Sequence, residues 1–132
     1  VYNIECFEDI DGLLIRIEGK LSVEEALQIV EETVAFNPSH TNCAAIFDLS
    51  KADFSEMSVD FFTSFVERIP PELIEKRAGA CVAYVSPNAL AFGMTRVYEA
   101  YIESIPTKRC VFYAMDEAKE WILANKDQQI TA

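Results

Sequence analysis

Residues 12–50 read GLLIRIEGKLSVEEALQIVEETVAFNPSHTNCAAIFDLS, and this stretch decides the fold class. Leu13, Ile15 and Ile17 alternate with Arg16 and Glu18, the two-residue period of a strand with one wetter face. Ser22-Val23-Glu24-Glu25 is a capping box: a serine hydroxyl and a glutamate three residues on can each serve an orphan backbone N–H. Val23, Ala26, Leu27, Val30 and Val34 then recur at helical spacing, with Glu24, Glu25, Gln28, Glu31 and Glu32 on the other, solvated side. Asn37-Pro38 ends that helix, because proline lacks the N–H a helix interior needs. Ala44 to Leu49 is a short apolar run of the kind buried on both faces of a sheet. Strand, helix, buried strand is a βαβ unit, and such a unit makes its strands parallel.

Working outward, Tyr2 to Phe7 is a second β-type run, joined to Leu13–Glu18 through Glu8-Asp9-Ile10-Asp11-Gly12; Asp-Gly between apolar runs signals a hairpin. After Leu49 a polar loop runs from Ser50 to Met57, and Ser58 is an N-cap for a helix carrying Phe61, Phe62, Phe65, Val66 and Ile69. Pro70-Pro71 interrupts that helix, and Glu72 to Lys76 add a further turn. Ala78 to Val85 predicts a strand. Ser86-Pro87 opens a long helix with Leu90, Met94, Val97, Tyr98, Tyr101, Ile102 and Ile105 along one stripe, stopped by Pro106. Cys110 to Ala114 is the last strand, and Asp116 caps a final helix that turns Ala118, Trp121 and Ile122 inward. The expected architecture is a single α/β domain over 1–126, with a mixed, mostly parallel five-stranded sheet, about four helices and the order ββαβαβαβα. Residues 127–132 read as a polar C-terminal tail.

Composition narrows the function. With 132 residues, 11 basic against 22 acidic side chains and a net charge of -11, the chain is poorly suited to nucleic acid, whose binding rests on Lys and Arg neutralising phosphates. The same balance repels anionic membrane surfaces. No apolar stretch reaches membrane-spanning length and no signal peptide is read, so a cytoplasmic location is the default expectation. Cys6, Cys43, Cys81 and Cys110 are far apart with no C-x-x-C pair, which reads as reduced, buried small hydrophobes and argues against a metal centre.

Enzyme motifs are missing as well: no phosphate-binding glycine loop, no G-x-S-x-G elbow, and a single histidine, His40, read as a solvent-facing loop residue. No catalytic residue and no cofactor is therefore expected. In open α/β sheets ligands bind beyond the carboxyl ends of the strands, which here brings forward Asp48 to Ser58, Ser86 to Asn88 and Ala114 to Asp116. Ser58 and Ser86 stand at expected helix starts, where they serve either as plain caps or beside an anion or phosphate. Arg96, with Glu99 three residues later, reads as a surface ion pair or an anion contact; Met94 and Tyr98 read as core or as the wall of an apolar cavity.

At Asp48-Leu49-Ser50, after an apolar strand and before a helix, the chain resembles STAS domains of the anti-sigma-factor-antagonist type. In that family a D-S-S-G segment follows, one serine of which the partner kinase phosphorylates. Ser58 falls at that place, but the chain reads Ser55-Glu56-Met57-Ser58-Val59-Asp60, with the acidic residue displaced and the glycine replaced. The whole chain is similar to the STAS/SEC14-like, or SpoIIAA-like, group. The likeness rests on Gly19 to Glu25, Phe47-Asp48-Leu49, Ala78-x-x-x-Val82, Phe92-Gly93-Met94-Thr95-Arg96, and Val111-Phe112 through Glu117-Ala118 to Trp121-Ile122.

That resemblance implies a STAS-like fold and a regulatory or protein-binding module rather than an enzyme. Partner or phosphoswitch candidates are Asp48, Ser50, Lys51 and Ser58. The alternative is a carrier of a small apolar ligand or lipid, of SEC14-like type, whose pocket would use Phe61, Phe65, Ser86, Asn88, Met94, Arg96 and Tyr98. A homodimer through an exposed helix face is compatible with either.

Overall fold

The computed structural model describes residues 1–36, 44–55, 59–76, 80–86, 93 and 107–130. Its centre is a five-stranded sheet in the order β1 (Tyr2–Phe7), β2 (Gly12–Gly19), β3 (Ala44–Ala52), β4 (Cys81–Val85), β5 (Lys108–Phe112). β1 runs antiparallel to β2, and every later pair is parallel. This is the mixed, mostly parallel α/β sheet the sequence predicts. Four helices are described: α1 (Val23–Phe36), α2 (Val59–Arg68), α3 (Pro71–Lys76) and α4 (Met115–Ile130). Apart from Gly93, which is helical, the helix expected over Leu90–Ile105 lies outside the described residues.

Strand alternation divides the core into two faces. Ile15, Ile17, Ala45, Leu49, Val82 and Tyr84 point to one side, where Ile29 of α1 meets them. Leu14, Ala44, Ile46, Cys81 and Ala83 point to the other, where Ala118 and Ile122 of α4 are fully buried. A third cluster, built around Ala26, Phe65 and Ile69, packs α1 against α2 and α3. Arg68 adds an exposed ion pair to Glu24, 3.2 Å across the same helix contact.

Local chemistry explains the joins. The β1–β2 connection is a single 3-10 turn, Glu8–Ile10, closed by Asp11 in the left-handed region at φ 50, whose N–H donates to the Glu8 carbonyl. Ile10 is fully buried and plugs that end of the α4-side core, so the turn is anchored by an apolar side chain. Gly12 follows because the chain passes directly over β3: a Cβ there would collide with the Ala44 carbonyl. At the start of α1 the capping box forms as expected. Glu25 N–H donates to Ser22 Oγ at 3.1 Å, and Ser22 N–H donates to Glu25 Oε1 at 3.2 Å.

Four expectations are corrected. β3 continues through Ser50, Lys51 and Ala52, which the sequence reads as loop, because Glu18 and Gly19 of β2 go on pairing with Lys51 and Ala52 beyond a register shift. β5 begins at Lys108 rather than Cys110, paired with Cys81. The final helix starts at Met115, so Asp116 stands in its first turn and is no N-cap; the helix continues to Ile130, four residues past the point where a tail was expected to leave. Cys6 is exposed rather than buried, since it sits on the edge strand.

Candidate functional site: an apolar cleft under the first two helices

Where α1 and α2 cross the sheet they leave a cleft of about 80 Å³. Its described lining comes from Ile17 of β2, Phe47 and Leu49 of β3 and Tyr84 of β4 below, with Leu21, Ala26, Ile29 and Val30 at the approach to and along α1. Phe54 and, from α2, Phe61, Phe62 and Phe65 complete it. Phe47 and Tyr84 stack at 5.2 Å between ring centroids and 29° between planes, and Phe61 meets Phe62 edge-on at 5.6 Å. No charged residue is among these lining side chains.

The sequence candidates divide. Phe61 and Phe65, two of the candidates for a carrier pocket, lie in the cleft wall, and Phe65 is buried. Asp48 sits between Phe47 and Leu49 on β3, and alternation turns it to the opposite face of the sheet from the cleft. There its Oδ1 accepts the Ser50 N–H at 3.1 Å, and its other oxygen lies 4.0 Å from Arg16 Nε. Ser50 and Lys51 are exposed, and Lys51 Nζ is 3.8 Å from Glu18. Ser86 is fully buried at the end of β4, its N–H donating to the Phe112 carbonyl at 2.9 Å. Ser58, Asn88, Met94, Arg96 and Tyr98 lie outside the described residues, as do His40 and Cys43.

Most of the cleft was missed by motif reading. Phe47 and Leu49 could have been found from their two-residue spacing on β3, which puts them on one face together. Tyr84 carries the same signal on β4, masked by a continuously apolar run that shows no period. Next to Phe54 of the cleft lining, Asp53 makes a turn: its N–H donates to the Gly19 carbonyl at 2.8 Å and its Oδ1 accepts the Ser55 N–H at 2.9 Å. Hydrogen bonds from the Ser55 side chain and then its backbone hold the Asp53 carboxyl below the usual carboxylate range, with Lys20 nearby adding to the effect.

Among the described residues no group of three His, Cys, Asp or Glu side chains is placed to hold a metal ion, and no helix is long and apolar enough to cross a membrane.

A strand hairpin feeding a parallel sheet, with α1 to α3 on one face and α4 on the other, is the SpoIIAA-like, STAS-type fold. Among solved structures the chain is similar to a protein of the DUF3478 family from Shewanella loihica PV-4, described as uncharacterized and of SpoIIAA-like fold. The two superpose with a TM-score of 0.60 at 21% identity, covering 92% of each chain. No family model and no curated protein matches the sequence.

Proposed function

We propose that this STAS-like chain is a binding module that takes a small, uncharged apolar molecule into the cleft between the sheet and α1 and α2. The observation that supports this most is the cleft itself. A space of about 80 Å³ walled almost wholly by apolar side chains holds water poorly. An apolar ligand seated there takes that wall out of water. The space is well below the roughly 300–1,000 Å³ of drug-sized sites, so the occupant is ring-sized or a short chain.

The test is titration with toluene followed by amide NMR. Resonances of Phe47, Phe65 and Tyr84 should move together, saturably, and the thermal midpoint should rise with ligand concentration. Shifts scattered over the surface, or none, would reject the reading.

A second reading, contact with a protein partner at the carboxyl end of β3, draws on the exposure of Ser50 and Lys51. It draws less support, because Asp48 and Lys51 both have opposite charges close by within the chain. Under it, Lys51→Ala together with Ser58→Ala weakens capture of that partner; unchanged capture would count against it.

A further inference from the structure

β1 is an edge strand, and the hydrogen bonds at its start show which of its backbone groups face outward. Val1 and Glu18 exchange both backbone bonds, Glu18 N–H to the Val1 carbonyl at 2.8 Å and Val1 N to the Glu18 carbonyl at 3.2 Å. In an antiparallel ladder bonded and non-bonded pairs alternate. With the register Tyr2↔Ile17 and Ile4↔Ile15, the N–H and C=O groups of Tyr2, Ile4 and Cys6 therefore point away from β2. Edge strands of natural proteins are commonly guarded by lysine, proline or bulges. β1 has none of these: it reads Tyr-Asn-Ile-Glu-Cys-Phe, and its one charge, Glu5, is held on the other face by Arg16 at 2.8 Å. β5, the opposite edge, begins with Lys108-Arg109, charged side chains of the kind that guard an edge strand.

We infer that β1 is a self-complementary interface, on which a second copy of this chain adds its own β1 antiparallel about a two-fold axis at Ile4. In that register Ile4 exchanges both backbone bonds with the second copy's Ile4, and Tyr2 does so with the second copy's Cys6. Asn3 stands opposite Glu5, an amide against a carboxylate, and no like charges meet. Centring the axis on Glu5 instead would set Glu5 against Glu5 at a non-bonded pair, where backbones are about 4.5 Å apart. The charge pattern thus rules against centring on Glu5, and of the registers left the one centred on Ile4 pairs all three outward-facing residues of the strand. The apolar row Tyr2, Ile4, Cys6 continues across the join beside the groove lined by Tyr2, Asn3, Ile4, Glu32 and Ala35. No residue of β1 is among those that line the cleft.

Sedimentation equilibrium of the full chain should give the mass of a dimer. Cys6→Pro deletes an outward N–H and leaves the β1–β2 ladder intact, so it should raise the dissociation constant about tenfold or more with an unchanged circular dichroism spectrum. In a second variant, Ile4→Cys with Cys6→Ser, the introduced thiols face each other at a bonded pair, where Cα atoms lie about 5.5 Å apart, within disulfide reach; oxidation should cross-link the dimer. A monomer at every concentration, a dimer indifferent to Cys6→Pro, or failure of the thiols to cross-link would overturn the assignment.

Discussion

Phe47 and Tyr84 are register partners on adjacent parallel strands, and their rings stack at 5.2 Å to form the floor of the cleft. Both are fixed by the β3–β4 ladder, whereas the walls are side chains on α1 and α2. The size of the cleft is therefore set by how the two helices approach the sheet. Ala26, nearly buried between α1 and α2, is the smallest side chain in that wall.

Ala26→Leu should fill the cleft from the α1 side. Each buried methylene contributes about 0.8 kcal/mol, so stability in urea should rise by about 1–2 kcal/mol, while toluene binding should fall at least about tenfold. A loss of stability would mean that the walls already touch.

Gly12→Ala should destabilise the fold by about 1–3 kcal/mol or more, because the new methyl is driven into the Ala44 carbonyl and backbone cannot yield as a side chain does. Denaturant unfolding measures it; a neutral result would show that β2 and β3 separate easily at this point.

Ser22→Ala removes one half of the capping box and should cost about 1 kcal/mol. The other half depends on pH. The Ser22 N–H holds the Glu25 carboxyl below its usual range, so its stabilisation is present above that range and is lost as pH falls through the lowered value. The wild type should lose more stability on acidification than Glu25→Gln, measured by urea titration at several pH values.

The Tyr2 hydroxyl donates to Glu32 at 2.6 Å, and that bond, aided by burial and by the carboxylate charge, pushes the Tyr2 phenol up to about 12. The pairing contributes fully below the ordinary tyrosine value near 10 and is lost as pH rises through about 12. Ultraviolet titration should show one tyrosine ionising late, and Glu32→Gln should bring it back toward 10. A late tyrosine that survives the substitution would place its cause elsewhere.

The fold was legible where local signals agree. Ser22 and Glu25 announce the helix, Leu13 to Glu18 alternate, and Ala44 to Leu49 run apolar between them, so the βαβ unit could be read directly. Legibility failed where pairing overrides composition. Ser50-Lys51-Ala52 is polar yet stays in the ladder because β2 is still alongside. Cys6 lies in an apolar run yet is exposed, since nothing in a strand's own residues says that it will lie at the edge. The site was half legible: Phe61 and Phe65 follow from the α2 stripe, but the floor needs the register of β3 against β4, a non-local fact. Asp48, prominent as a motif residue, falls on the far face by one step of strand alternation.

The most direct test of the binding reading is native mass spectrometry of the protein purified from its own organism, with a denaturing spectrum of the same sample. The account predicts that the native species, whether one copy or two, carries extra mass per polypeptide of small-molecule size, lost on denaturation and absent from Ala26→Leu prepared the same way. A bare polypeptide mass in both spectra would contradict it, and a phosphate surviving denaturation and mapping to Ser58 would favour the protein-partner reading instead.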